Sequence, residues 1–215
     1  MMKVSASILS ADFLNLGKDI QSAADAGCDY LHLDIMDGHF VPNLAIGVCT
    51  VQSLKSIGSL RKDVHLMISE PERYIDIFAE AGCDSITFHA ESCPHHFRLI
   101  QQIRKTGKLA GIALTPETPV ETIRHVLGAV DIVLQVSVCV GFGGQDILAP
   151  VYEKFRELQS YKEKYGYTYE IQVDGGINER TYQKAAQYGA EALVAGSTIF
   201  HSKDMKKTVA MLKNV

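Results

Sequence analysis

Eight short apolar segments, each followed by an amphipathic stretch, predict an α/β fold: a single (β/α)8 TIM barrel. A strand entry that recurs along the chain argues for one repeated βα unit, and the count of eight with polar residues gathered at strand C-terminal ends favours the closed barrel over an open, doubly wound sheet.

Strands are expected over residues 4–9, 30–35, 63–67, 85–89, 109–114, 131–138, 169–173 and 192–195. They are short and, as a set, rich in β-branched residues. Helices are expected over 12–26, 70–81, 95–105, 120–127, 150–165, 179–188 and 203–213. The connection after Ile35 is longer and looser, with a helix near 49–57. Ala26-Gly27-Cys28-Asp29 enters the second strand, Ala81-Gly82-Cys83-Asp84 the fourth and Tyr188-Gly189-Ala190-Glu191 the eighth. Each glycine falls where a helix ends, a position that favours positive φ. No Pro/Gly/Ser-rich linker interrupts the pattern, so residues 1–215 are expected to form one domain.

Composition narrows the partners. A hydrophobic content of 47% supports a substantial core. The formal net charge is -4 and no Lys/Arg block occurs, which argues against nucleic acid. The five cysteines are odd in number and form no CxxC pair, so a disulfide framework and a Cys-rich zinc site are both disfavoured. Reduced thiols in a cytoplasmic protein are expected. The N-terminus lacks a signal-peptide layout, and no apolar run approaches the roughly 20 residues of a membrane helix.

The chemistry starts at His32-Leu33-Asp34. Strand alternation sends His32, Asp34 and Met36 to one face. Residues two apart lie about 6–7 Å apart along a strand, so one ion can sit between the pair. His65 is polar within an otherwise apolar third strand, and Asp174 caps the seventh. Together His32, Asp34, His65 and Asp174 form a candidate site for one divalent metal cation. Two imidazoles with two carboxylates suit Zn, Fe, Mn or Co better than Ca. Taken singly, a strand histidine is more often a hydrogen-bonded core residue, and a strand-end aspartate is often a helix cap. Their combination at one barrel mouth favours the metal.

Three glycine loops follow the sixth, seventh and eighth strands: Gly141-Phe142-Gly143-Gly144, Asp174-Gly175-Gly176 and Gly196-Ser197. Such loops let several N–H groups converge on an anion, and late-strand loops are the usual phosphate site of a barrel. Ser7, near the end of the first strand, either fills the barrel or touches a substrate hydroxyl. Met36 and Met67 line the same mouth or fill the core. His89 and Glu91 either orient the ligands or belong to a loop.

The segments Ser7-Ile8-Leu9-Ser10-Ala11-Asp12, His32-Leu33-Asp34-Ile35-Met36-Asp37-Gly38-His39-Phe40-Val41-Pro42-Asn43 and His65-Leu66-Met67, with the three glycine loops, resemble the ribulose-phosphate 3-epimerase family. The resemblance runs in order along almost the whole chain. It implies a barrel of the ribulose-phosphate-binding type that interconverts ribulose 5-phosphate and xylulose 5-phosphate. It also implies metal ligation by His32, Asp34, His65 and Asp174, with Asp34 and Asp174 as the acid–base pair. Ser7, His65, Gly141, Phe142, Gly143, Gly144, Asp174, Gly175, Gly176, Gly196 and Ser197 would surround a small phosphorylated ketose. Exposed barrel helices allow a homo-oligomer.

Three positions depart from the family pattern: Ala6 replaces a proline, Val136 a third methionine, and Cys139-Val140 an Asn-Pro or Glu-Pro pair. A related branch acts on allulose 6-phosphate, and the stretch from Leu158 to Ile171 resembles it. Two rivals follow from other chemistry. A decarboxylase on a similar barrel needs an Asp-x-Lys array, but Met36 stands at the lysine position. A non-catalytic sugar-phosphate binder would show the loss of a ligand or a base, and none is lost.

Overall fold

In the computed structural model, which describes residues 2–57 and 59–215, eight parallel strands close into a barrel. They are β1 (Lys3–Ser7), β2 (Tyr30–Asp37), β3 (Arg61–Met67), β4 (Ser85–His89), β5 (Leu109–Leu114), β6 (Ile132–Val136), β7 (Glu170–Asp174) and β8 (Ala192–Ala195). Closure comes from β1, which pairs with both β2 and β8. A two-residue strand, Leu44–Ala45, pairs antiparallel with the end of β2.

Strand alternation divides the interior into two environments. The outward residues Val4, Leu31, Leu33, Val64, Leu66, Ile86 and Phe88 belong to the large apolar cluster under the helices. On the opposite parity of β1–β4 stand Ser5, Ser7, His32, Asp34, Asp63, His65, Ser85, Thr87 and His89, all buried. That side of the barrel interior is therefore polar. Ala113, Leu134 and Val194 form a small apolar cluster of their own.

The helices are α1 (Leu16–Asp25), α2 (Val48–Ser53), α3 (Ile75–Ala81), α4 (His96–Lys105), α5 (Val151–Tyr165), α6 (Tyr182–Gln187), α7 (Ser197–Phe200) and α8 (Met205–Lys213). Three expected helices start late: 70–81 opens with a 3-10 turn, Pro71–Arg73, before α3, and in α1 and α6 polar side chains claim the backbone first. Asp12 accepts the Leu14 N–H, and Asn178 accepts the Arg180 N–H, each holding a turn ahead of its helix. The segment 120–127 is not an α-helix but two 3-10 turns, Val120–Ile123 and Leu127–Ala129. Its buried residues Val120, Ile123, Val126 and Leu127 fit the face of either helix type, so their spacing alone does not select the 3-10 turns.

The repeated strand entries have a common structure. Gly27, Gly82 and Gly189 take φ of 94°, 96° and 110° where their helices end. The acidic residue two positions later then bonds back to the preceding strand. Asp29, Asp84 and Glu191 accept the backbone N–H of Val4, Lys62 and Ile171 at 2.8, 2.8 and 2.9 Å. Asp131 does the same for Ala110 at 2.8 Å. These carboxylates tie strand N-terminal ends together and leave the opposite end of the barrel free for chemistry.

Candidate metal centre and substrate pocket

Cross-strand register builds the site. Asp34 on β2 lies beside His65 on β3, and Val136 on β6 beside Asp174 on β7. One donor atom each from His32, Asp34, His65 and Asp174 lies within 4.8 Å of all the others. His32 Nε2 is 3.4 Å from Asp34 Oδ1, 3.4 Å from His65 Nδ1 and 4.0 Å from Asp174 Oδ2. His65 Nδ1 is 3.1 Å from Asp34 Oδ1 and 3.8 Å from Asp174 Oδ2. Donors on a tetrahedral ion with bonds of about 2.0–2.1 Å sit roughly 3.3 Å apart. Donor chemistry and spacing therefore both fit one divalent cation of the imidazole-and-carboxylate kind.

Neighbouring groups hold the donors in place. Asp63 Oδ2 lies 3.0 Å from His32 Nδ1, and a carboxylate only accepts, so Nδ1 carries the proton and Nε2 faces the cluster. Ser85 Oγ donates to the other Asp63 oxygen at 2.6 Å. Ser7 Oγ donates to Asp34 Oδ2 at 2.8 Å, leaving Oδ1 to the two histidines. Ser137 Oγ donates to the carbonyls of Asp174 and Gly175 at 2.9 and 2.6 Å, which fixes the turn after β7.

Charges within the cluster separate the carboxylates. Burial acts against the Asp34 anion, but His32 and His65 outweigh it and hold its pKa well below the usual range. Asp174 is raised to about 7, first by burial and then by the charge of Asp34. Burial opposes the His32 cation, yet Asp34 and Asp63 raise its pKa. His65 is lowered to about 4, chiefly by burial. Two carboxyls pushed in opposite directions are the pattern of an acid–base pair.

Above the cluster opens a cavity of about 290 Å³. Asp34 and Asp174 lie at its floor, and Asp174 is the most open of the four, with 19% of its side chain exposed. Ser7, Gly141, Phe142, Gly143, Gly144, Gly175, Gly176, Gly196 and Ser197 line it, whereas His65 is fully buried outside the lining. Met36, Met67, Val136 and Val140 line it too, so two of the three departures from the family pattern fall on the cavity wall. Gly175 and Gly176 take φ of 104° and 67°. A Cβ on Gly176 would also stand 2.5 Å from the Ile147 backbone nitrogen, so only glycine fits. Across the same cavity, the first N–H groups of α7 lack intrahelical partners.

Asp37, beside the cluster in sequence, has a structural task. It accepts the N–H groups of His39, Phe40 and Ser69 at 2.8, 2.9 and 2.8 Å, joining the loops after β2 and β3. Sequence reasoning passed over Asp63 and left His89 and Glu91 open. Asp63 had a signal, since it stands two residues before His65 on the same strand face.

The ribulose-phosphate 3 epimerase family model matches residues 3–200. The chain belongs to the ribulose-phosphate 3 epimerase family. Among curated members, it is 45% identical to the ribulose-phosphate 3-epimerase of Bacillus subtilis over 214 residues, covering 99% of each chain. It is 39% identical to that of Escherichia coli K12, covering 98% of this chain and 94% of the other. The fold extends beyond the family. KGPDC from Streptococcus mutans superposes with a TM-score of 0.74 at 13% identity, covering 100% of this chain and 97% of the other. A tryptophan synthase α-subunit from Pyrococcus furiosus gives 0.73 at 15% identity and covers both chains fully. At these identities the two structures share a barrel with this family member, and nothing more is carried over. No helix among the described residues is long and apolar enough to cross a membrane.

Proposed function

We propose that this family member epimerises C3 of a small phosphorylated ketose, interconverting D-ribulose 5-phosphate and D-xylulose 5-phosphate, and that residues 1–215 act as one catalytic domain. The observation that carries the reading is the His32, Asp34, His65 and Asp174 cluster at the foot of a glycine-lined cavity. The curated relatives bear the name of the same reaction.

The C3 proton is acidified by the adjacent C2 carbonyl, and its removal leaves an enediolate. Inversion requires a proton to leave one face and another to arrive on the opposite face, so two acid–base groups are the minimum. Asp34 and Asp174 come from strands on different sides of the barrel and share the cavity floor. One takes the proton as a carboxylate while the other returns one as an acid. A single divalent cation held by His32, Asp34, His65 and Asp174, of the Zn, Fe, Mn or Co class, would supply positive charge where the enediolate oxygens develop. Ser7 orients Asp34 through its hydrogen bond. The glycine loops and the start of α7 offer backbone N–H groups to the phosphate, and Arg180, in the loop after β7, lines the same cavity as a side-chain cation. The exclusion of water by Met36, Met67 and Val136 strengthens the electrostatic interactions at the floor.

The deciding experiment compares turnover of ribulose 5-phosphate and allulose 6-phosphate by the metal-loaded protein. Preferential turnover of the pentulose is expected, and Asp34→Asn should abolish it. Bound metal without turnover of either ketose phosphate would convert the reading to a non-catalytic binder.

A further inference from the structure

Behind the cluster lies a row of polar side chains that the epimerisation scheme leaves unused. His65 Nε2 is 2.9 Å from His89 Nε2 on β4, and His89 Nδ1 is 3.1 Å from Glu91 Oε2. The other Glu91 oxygen, Oε1, accepts the Thr115 backbone N–H at 2.8 Å. Both imidazoles are fully buried, and their rings stack at 5.0 Å with 28° between planes. Phe40 packs against His89 at 4.8 Å between centroids. Lys154 Nζ donates to the carbonyls of Thr115, Pro116 and Thr118, which anchors the loop that presents the Thr115 N–H.

We propose that Glu91 and His89 are positioning residues that fix the tautomer of His65, keeping its Nδ1 free of a proton for the metal. The proposal rests on the reading of His65 as a metal ligand. Its logic runs along hydrogen-bond directions. A carboxylate has no donor, so His89 Nδ1 must donate to Glu91. A neutral imidazole that donates at Nδ1 accepts at Nε2. His65 must then donate from its own Nε2, which leaves a lone pair on Nδ1 facing the cluster. That arrangement has a competitor. His65 Nδ1 is 3.1 Å from Asp34 Oδ1, another pure acceptor that draws the His65 proton to the opposite nitrogen. With the proton on Nδ1 the ligand is blocked. Glu91, two hydrogen bonds away, opposes Asp34 and holds the ligand ready.

Glu91→Gln tests this without removing any atom's bulk. The carboxylate accepts two bonds, from Thr115 N and from His89 Nδ1, whereas an amide has one oxygen and one NH2. The backbone N–H of Thr115 cannot change direction and takes the oxygen. The NH2 group then faces His89 Nδ1 and reverses the whole row, placing a proton on His65 Nδ1. His89→Phe removes the acceptor altogether. His89→Gln keeps a carbonyl oxygen where Nε2 stood and serves as the rescue.

Zn2+ affinity is measured by chelator competition on the full chain, with metal-free Tm and 15N spectra of histidine-labelled protein alongside. Glu91→Gln and His89→Phe should each weaken Zn2+ binding about 10–100-fold, while His89→Gln stays close to the parent. Metal-free Tm should remain near the parent value in Glu91→Gln, whereas both His89 variants lose the bond to Glu91 Oε2 and should melt lower. The metal-free parent should show His65 protonated at Nε2, and Glu91→Gln should show it protonated at Nδ1. Zn2+ binding by Glu91→Gln within threefold of the parent overturns the proposal alone. So does a parent His65 protonated at Nδ1, or a loss of affinity that follows a fall in Tm equally in His89→Gln. A parent that binds no Zn2+ overturns both this proposal and the reading of the cluster as a metal site.

Discussion

Replacing Asp174 by Asn separates the chemistry of the site from the stability of the fold. In the metal-free protein, burial and then the neighbouring Asp34 charge raise the Asp174 pKa from 3.8 to about 7. A carboxyl whose folded value lies above its unfolded value binds its proton more tightly when folded. The stabilisation this brings is complete below about pH 3.8 and is lost as pH rises through about 7. At about 1.4 kcal/mol per tenfold, the interval corresponds to roughly 4 kcal/mol. Asp174 opens onto the cavity, with 19% of its side chain exposed, so solvent screening brings the working figure to roughly 2–4 kcal/mol. Asparagine keeps the shape without the charge. In excess chelator, D174N should therefore be more stable than the parent at pH 8, with the margin falling to roughly a third of that at pH 5 and vanishing below about pH 3.8. For a domain of this size, at about 2–4 °C per kcal/mol, the expected rise in Tm at pH 8 is on the order of 5–10 °C. Saturating divalent metal should reverse the order, because the parent gains binding free energy from four donors and the variant from three. Epimerase turnover should fall by about 10²–10⁴-fold, the typical contribution of a positioned acid or base. The assays are thermal melts at two pH values, with and without metal, and steady-state kinetics. A D174N protein that melts no higher than the parent at pH 8 in chelator would refute the electrostatic reasoning. Turnover within tenfold of the parent would refute the two-base scheme.

Two further substitutions probe the supports. Asp63→Asn cannot accept from both His32 Nδ1 and Ser85 Oγ as the carboxylate does. Metal affinity should fall about tenfold and stability by roughly 1.5–3 kcal/mol, and unchanged chelator and denaturant titrations would contradict this. Gly176→Ala forces a Cβ to 2.5 Å from the Ile147 nitrogen at φ +67°, so the loop after β6 must shift. KM for the phosphorylated ketose should rise about tenfold or more with a smaller change in kcat, since a remote binding contact is lost rather than a base. A KM equal to the parent's would exclude this turn from phosphate binding.

Much of the site is legible along single strands. His32-Leu33-Asp34 declares a shared face because strand side chains alternate, and Asp174-Gly175-Gly176 marks a strand end followed by a tight turn. The glycine-then-acid entries announce the repeated unit. Less legible are the supports. His89 and Glu91 could equally belong to a loop, because nothing along β4 tells which imidazole lies across the barrel interior. The segment 120–127 misleads for a local reason: its apolar spacing fits two periods, and packing under the barrel selects the 3-10 turns.

What the sequence determined by itself is the barrel, its eight units and the four polar residues assigned to the strand ends, since these depend on periodicities carried within short segments. What only the tertiary structure decided is the pairing between strands. The register that sets His32 against Asp63 and His65 beside Thr87, one residue pair below His89, fixes which carboxylate orients which imidazole. Those contacts join residues up to 31 positions apart in the chain, and their directions follow from barrel closure rather than from local order.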